Sequence, residues 1–248
     1  MSPTDRGTPS GFPGPLRPDP PTTARLLVVQ HEPSSPPGLL VDAAAATRVE
    51  LDVMEAPHRQ VPVALGDADA LVVLGGEMDA DELDAYPHLE PTMALLRDAA
   101  ARRAPTLGIC LGAQLAANAL GGRAYPGSAG EEVGWTKVEL TAAGRADPVL
   151  GALAEPAEVF EWHHDTLEPP SGAVQLARGA LYEQQAFRLG SVVGVQFHPE
   201  VDAPLLAGWW AVGAPPSYPE ADAVAGAVRN AANARRLLEA FCRVAARR

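Results

Sequence analysis

The stretch Ala104-Pro-Thr-Leu-Gly-Ile-Cys110-Leu-Gly-Ala-Gln114 is a short apolar run that ends in Gly-x-Cys-x-Gly and passes directly into an alanine-rich helical pattern. Gly-x-Ser-x-Gly marks a strand that turns sharply into a helix so that the central side chain stands free, and the flanking glycines are what so tight a turn requires. Cys110 occupies the serine position. A thiol at a helix N-terminus meets the positive end of the macrodipole and unpaired backbone N–H groups, both of which favour the reactive thiolate. Most free cysteines are small buried hydrophobes, but with this composition Gly-x-Cys-x-Gly-x-Gln arises by chance in roughly one such chain in two thousand. The spacing therefore predicts a nucleophile elbow.

Outward from the elbow, strand and helix patterns alternate. Arg25 to Gln30 is a branched apolar run suited to a strand buried on both faces. Leu39 to Thr47 reads as a helix, Arg48 to Val53 as a second strand, and Asp69 to Leu74 as a third that ends at Gly75-Gly76. His88 to Arg103 has helical spacing, with Pro91 in its first turn, and Thr106 to Ile109 is the strand that delivers Cys110. This is the order of a doubly wound α/β fold. After a helix over Leu111 to Leu120, capped at Gly121-Gly122, the pattern changes to antiparallel candidates: Val133 to Leu140, Ala157 to Trp162, Ala173 to Ala177 and Gln185 to Arg188. Ser191 to Phe197 is the last strand expected. Pro204 to Ala211 and Pro219 to Arg247 read as helices, the latter burying Val224, Val228, Leu238, Phe241 and Cys242.

The totals exclude several classes of function. The 248 residues suffice for one large core, and one principal domain is expected over residues 25–212, followed by a helical extension over 213–248. Acidic residues outnumber basic ones 31 to 19, for a net charge of −12, and nucleic-acid binding is not expected. No apolar run is long enough to span a membrane. Met1 to Ala24 holds seven prolines and no apolar segment of a signal peptide, so it reads as a disordered tail. Two cysteines, Cys110 and Cys242, make no disulfide scaffold, and a reducing cytoplasm is the expected compartment.

His198 and Glu200 stand two apart at the end of an extended run, so their side chains leave the same face, and Pro199 biases His198 to extended geometry. In an open α/β sheet, sites form beyond the carboxyl ends of the strands. Cys110, His198-Glu200 and Gly75-Gly76 are all expected there. His163-His164-Asp165 invites a metal reading, but adjacent side chains diverge and no third ligand cluster is evident, so no metal and no cofactor is expected.

Together Leu107-Gly-Ile-Cys-Leu-Gly-Ala-Gln114, Gln196-Phe-His-Pro-Glu200 and Gly75-Gly76 resemble the signatures of class I (triad) glutamine amidotransferases, in order and in approximate spacing. The likeness runs from about Arg25 to Trp210, takes in Glu132-Val-Gly-Trp135 and Glu161-Trp-His-His-Asp165, and is strongest to stand-alone proteins similar to the glutaminase domain of GMP synthase. It implies a three-layer α/β fold with an open, mostly parallel, flavodoxin-like sheet. It also implies Cys110 as nucleophile, His198 as acid and base, and Glu200 as the group that orients His198. The backbone N–H groups of Gly76 and Leu111 would form the oxyanion hole, with Gly75, Gln114, His164 and Asp165 near the substrate. The implied substrate is glutamine or another γ-glutamyl compound, with a synthetase as the partner that accepts ammonia, because too little chain follows Trp210 for a synthetase domain. The alternatives are a hydrolase of other γ-glutamyl amides and a non-catalytic regulatory subunit. Relatives of the DJ-1 and peptidase kinds share such elbows but often place His directly after Cys, where this chain has Leu111.

Overall fold

The computed structural model describes residues 23–213 and 217–247, so the expected tail lies outside the described residues up to position 22. Strands β1 (Arg25–Gln30), β2 (Glu50–Glu55), β3 (Ala70–Val73) and β4 (Thr106–Ile109) alternate with helices α1 (Leu39–Thr47) and α2 (Leu89–Ala101). Helix α3 (Leu111–Ala119) follows the elbow. Next come β5 (Arg123–Pro126), β6 (Glu132–Leu140), α4 (Ala142–Ala146), β7 (Ala157–His163), β8 (Asp165–Glu168), β9 (Val174–Arg178), β10 (Ala186–Leu189) and β11 (Val192–Val195). Helices α5 (Ala203–Gly213) and α6 (Glu220–Ala245) complete the chain.

Nine strands form one sheet in the order β2-β1-β3-β4-β11-β10-β9-β6-β7. The first five run parallel, and the rest add on antiparallel. Alternate residues of the parallel strands feed opposite layers, as a pleated strand dictates. Leu26, Val28, Ala70 and Val72 pack with α1 and the C-terminal half of α6, whereas Leu27, Val29, Leu71 and Val73 pack with α2 and α3. This is the three-layer α/β arrangement expected. Among the described residues no helix is long and apolar enough to cross a membrane.

The antiparallel half turns back toward the elbow. After β11 the Gln196 N–H donates to Gln185 O, and the His198 N–H donates to Phe160 O on β7, which is the far edge of the sheet. A strand four places away can be reached in this way only if β10, β9, β6 and β7 curl round. The same turn explains why β11 ends at Val195 rather than Phe197. β2 starts at Glu50 rather than Arg48 because Arg48 caps α1 in a left-handed conformation, φ 58°. β5 and β8 pair as a separate antiparallel ribbon that the sequence did not signal, since Arg-Ala-Tyr-Pro and Asp-Thr-Leu-Glu carry no apolar alternation. In α6, Leu238, Phe241 and Cys242 are buried as expected, but Val228 is 70% exposed: it lies beside Ala227, which takes the inward position there.

The glycines of the elbow are required by close backbone approach. A Cβ on Gly112 would lie 2.1 Å from Val73 O, and one on Gly108 2.5 Å from Gly112 O. The first turn of α3 is thus seated directly on β3 and β4. Gly112→Ala is expected to lower unfolding free energy by about 1–3 kcal/mol, whereas Gly208→Ala in α5, where nothing lies within 4 Å, is expected to be neutral or slightly stabilising. Urea denaturation of the two variants checks the contrast.

Candidate active site

Cys110 sits between β4 and α3 with φ 49° and ψ −108°, a positive φ that non-glycine residues avoid. Its N–H donates to Val195 O at 2.9 Å, which ties the elbow to β11. The side chain is 6% exposed. Gln196 Nε2 lies 3.6 Å from Sγ and Trp162 O 3.9 Å from it.

Past β11 the chain brings His198 to the same point. Its Nδ1 is 2.7 Å from Glu200 Oε1, and its ring stands beside Cys110 in the same cavity wall. Burial would strip the proton from this ring, but Glu200 and Cys110 outweigh that cost and hold the imidazole well above its ordinary pKa. Trp209 packs edge-on against the ring, 5.2 Å between centroids, and donates its indole N–H to Ser34 O at 2.7 Å. Gly75 is wedged behind the pair: a Cβ there would lie 3.0 Å from His198 Cε1 and 3.6 Å from Cys110 Cβ.

These groups open onto a cavity of about 290 Å³. Of the residues singled out from sequence, Gly76, Cys110, Gln114, His164, Asp165 and His198 line it. Glu200, Gly75 and Leu111 do not: Glu200 stands behind His198, Gly75 acts as a spacer, and the Leu111 side chain belongs to the core. Among the described residues the N–H groups of Gly76 and Leu111 donate to no protein acceptor. Gln114 Nε2 donates to Asp165 O at 3.3 Å, which joins α3 to the start of β8.

Other lining groups carried no sequence signal. Glu32, Glu77, Asp79 and Glu131 make the mouth acidic together with Asp165, and among the described residues no Lys or Arg lines it. Burial and the nearby Asp79 push the Asp165 carboxyl up, while burial, reinforced by Glu77, raises Glu32 despite the Ser35 hydroxyl that donates to it. Trp162 and Trp209 form apolar wall, so Trp209 does more than the packing role its sequence suggested.

His163 and His164 do point apart, His163 inward and His164 to solvent, but each finds carboxylates from other segments. His164 pairs with Asp79 and Asp165, and His163 with Glu132 and Glu161. Each trio brings three side-chain atoms that could hold a metal ion within 4.8 Å of one another, with Asp79 and Glu132 supplying carboxylates that the His163-His164-Asp165 stretch itself lacks. They come from distant positions that sequence spacing does not reveal.

Buried histidines of opposite charge preference give the fold a pH signature. His31, directly after β1, is fully buried with neither ring nitrogen partnered; burial, then the stacked His88, lowers its pKa to about 3. His163 is raised to about 10: burial opposes the charge, but Glu132 and Glu161 prevail. As pH falls below about 6.5 the unfolded chain binds a proton at His31 and the folded chain does not, so stability falls on acidification. As pH rises from about 6.5 toward 10, the folded chain keeps the His163 proton that the unfolded chain has lost, so stability falls again. From these two groups unfolding free energy is expected to peak near pH 6.5, with limiting slopes of about 1.4 kcal/mol per pH unit. Urea titrations of His31→Leu should show the acid-side slope flattened.

Comparisons with known proteins identify the family. Residues 36–204 match the model of the family described as glutamine amidotransferase class-I. Over 138 residues, 54% of this chain and 67% of the relative, the sequence is 36% identical to the glutamine-hydrolyzing GMP synthase subunit of Haloquadratum walsbyi. It is 30% identical over 179 residues, 69% of this chain and 58% of the relative, to the gamma-glutamyl-L-1-hydroxyisopropylamide hydrolase of a Pseudomonas species. The solved glutamine amidotransferase of Thermotoga maritima superposes with a TM-score of 0.79 at 28% identity, covering 91% of this chain and 99% of that one. The matched span contains Cys110, His198 and Glu200. The chain belongs to the class I glutamine amidotransferase family.

Proposed function

We propose that this protein is a glutaminase that hydrolyses the side-chain amide of glutamine through Cys110, His198 and Glu200, the ammonia passing to an acceptor whose identity the site does not reveal. The observation that carries this reading is the His198 ring, bonded to the Glu200 carboxylate at 2.7 Å and standing beside Cys110 in the wall of the cavity. Cys110 Sγ attacks the amide carbon, and the oxyanion that forms accepts from the N–H groups of Gly76 and Leu111. One such donor is typically worth about 3–4 kcal/mol in the transition state. His198 then gives its proton to the departing ammonia, leaving a γ-glutamyl thioester on Cys110. Water adds to the thioester with His198 as base, and glutamate and the free thiol are released. Glu200 orients the ring and stabilises its charged form. Gln114 and Asp165 would contact the amino-acid end of the substrate, with His164 at the mouth. Cys110 and Cys242 are both buried and unpaired, in keeping with a reducing cytoplasm. The similarity to a glutamine-hydrolyzing GMP synthase subunit favours a synthetase as partner.

A second reading keeps the same chemistry on a different leaving group. The acidic mouth, with no Lys or Arg among the described residues that line it, suits a γ-glutamyl amide whose amine portion carries positive charge, and one of the relatives is a γ-glutamyl amide hydrolase. Ammonia release from glutamine against amine release from γ-glutamyl amides separates the two.

Incubation with an electrophilic glutamine mimic, followed by intact-mass measurement, tests the site directly. A single adduct on Cys110, suppressed by excess glutamine and absent in Cys110→Ala, is expected. Labelling of Cys242 to the same extent, or full turnover by Cys110→Ala, would remove the mechanism. Glu200→Gln should retain a residual kcat, lowered by roughly four powers of ten.

A further inference from the structure

At the mouth of the cavity Asp79, from the loop after β3, meets His164 and Asp165 at the junction of β7 and β8. His164 Nε2 lies 3.2 Å from Asp79 Oδ1 and 3.2 Å from Asp165 Oδ1. A ring N–H carries one hydrogen and can be directed at one oxygen only. Asp165 Oδ1, on a side chain that is 8% exposed, has no hydrogen-bond partner among the described residues. The ring nitrogen thus faces two carboxylate oxygens at equal distance and leaves the buried one unsatisfied. A divalent ion between the three atoms accounts for this arrangement. Zn²⁺ takes imidazole nitrogen and carboxylate oxygen at about 2.0–2.2 Å, and tetrahedral ligand atoms at that radius stand roughly 3.3–3.5 Å apart, close to the separations here. Two carboxylates and a neutral imidazole also balance the charge of the ion, and no Lys or Arg among the described residues lines the cavity to do so instead. The imidazole donor selects Zn²⁺ over Mg²⁺, which asks for oxygen ligands.

The three residues are held by contacts that leave the ligand atoms free. The Asp79 N–H donates to Glu82 Oε2 at 2.9 Å, and the neighbouring Ala80 O accepts from Asn118 Nδ2 on α3 at 3.3 Å. Asp165 is fixed through its backbone oxygen, which accepts from Gln114 Nε2 at 3.3 Å and lies 2.8 Å from His163 Nδ1. Because the His164 side chain is 61% exposed, an ion can enter from solvent and water can complete its shell. The trio of Glu132, Glu161 and His163 lacks that access: Glu161 is fully buried, and both ring nitrogens of His163 are already hydrogen-bonded.

We propose that Asp79, His164 and Asp165 form a divalent transition-metal site, suited to Zn²⁺, at the mouth of the cavity, and that a bound ion competes with the substrate. The competition rests on the reading of the cavity as the glutamine site, in which Asp165 contacts the amino-acid end of the substrate; the metal site rests on the geometry of the trio alone. An ion on Asp165 Oδ1 takes the carboxylate that the ammonium group of glutamine would otherwise meet, and it puts positive charge where the substrate carries its own. Ion and substrate therefore exclude each other, and the metal inhibits without touching Cys110.

The test is calorimetric titration of Zn²⁺ into full-length Cys110→Ala, in which the thiol can no longer capture the ion. One site is expected, and adding Asp79→Asn or His164→Ala, both away from the core, should weaken it at least about tenfold, the least that even a change outside the ligand shell costs. Co²⁺ in the same site should show the visible absorption of tetrahedral coordination, and Mg²⁺ should not displace it. Glutamine is expected to raise the apparent Kd for Zn²⁺ in proportion to its concentration, and Zn²⁺ to do the same to glutamine, as reciprocal coupling requires. No Zn²⁺ binding, or an affinity that both substitutions leave unchanged, overturns the metal site. An affinity for Zn²⁺ that glutamine does not alter, in protein that binds glutamine by the same method, overturns the competition. Failure of the metal-free protein to bind glutamine overturns the substrate reading and the competition with it, and it is told apart from failure of the metal site because the Zn²⁺ titrations do not depend on it.

Discussion

A backbone that must hold a side chain at positive φ is the constraint from which the rest of the molecule can be derived. Cys110 has φ 49°, a conformation that costs a non-glycine residue of order 1–3 kcal/mol and persists only where its surroundings over-determine it. Those surroundings are the contacts of α3. Gly112 presses on Val73 O, Gly108 on Gly112 O, and the Cys110 N–H is pinned to Val195 O. The elbow is thereby locked to three adjacent parallel strands, and the side chain emerges at their carboxyl ends. Every other element of the site is placed relative to that point.

The antiparallel half of the sheet does the complementary work. Because β7 curls back until Phe160 O meets the His198 N–H, its last residues face the elbow. That closure brings Glu161, His163 and Asp165 within reach of Cys110 and His198, and it shuts the polar groups away from water. Low effective dielectric then makes each charge count for more than it would at the surface.

Histidine shows what such placement does. His31, His163 and His198 are all buried, and their proton affinities diverge. His31 has no counter-charge, so burial wins and the ring stays neutral down to about pH 3. His163 has two carboxylates against it, which overcome the same penalty and raise it to about 10. His198 is raised as well, by Glu200 and Cys110 together. Burial alone predicts only the first of these outcomes; the number and sign of the partners decide the other two.

Much of this was legible in the chain. The alternation of branched apolar runs with helical spacing determined the α/β order, because a strand buried on both faces and an amphipathic helix have different periods. Gly-x-Cys-x-Gly determined the elbow, because only glycine permits the two close approaches that flank the cysteine. His198 and Glu200 were legible because a spacing of two in extended chain puts both side chains on one face, and they do meet at 2.7 Å. What only the tertiary structure decided involves residues that are neighbours through folding alone. The ribbon of β5 and β8 has no apolar alternation to announce it. Trp209 reaches His198 because α5 folds back, and the carboxylates of His163 and His164 arrive from positions 31 and 85 residues away or across one turn of strand. Nothing in local sequence encodes the curl of β6 and β7 that brings Glu132 to His163, since it depends on how the whole sheet closes on the segment after β11. The charge on His163 follows from that closure.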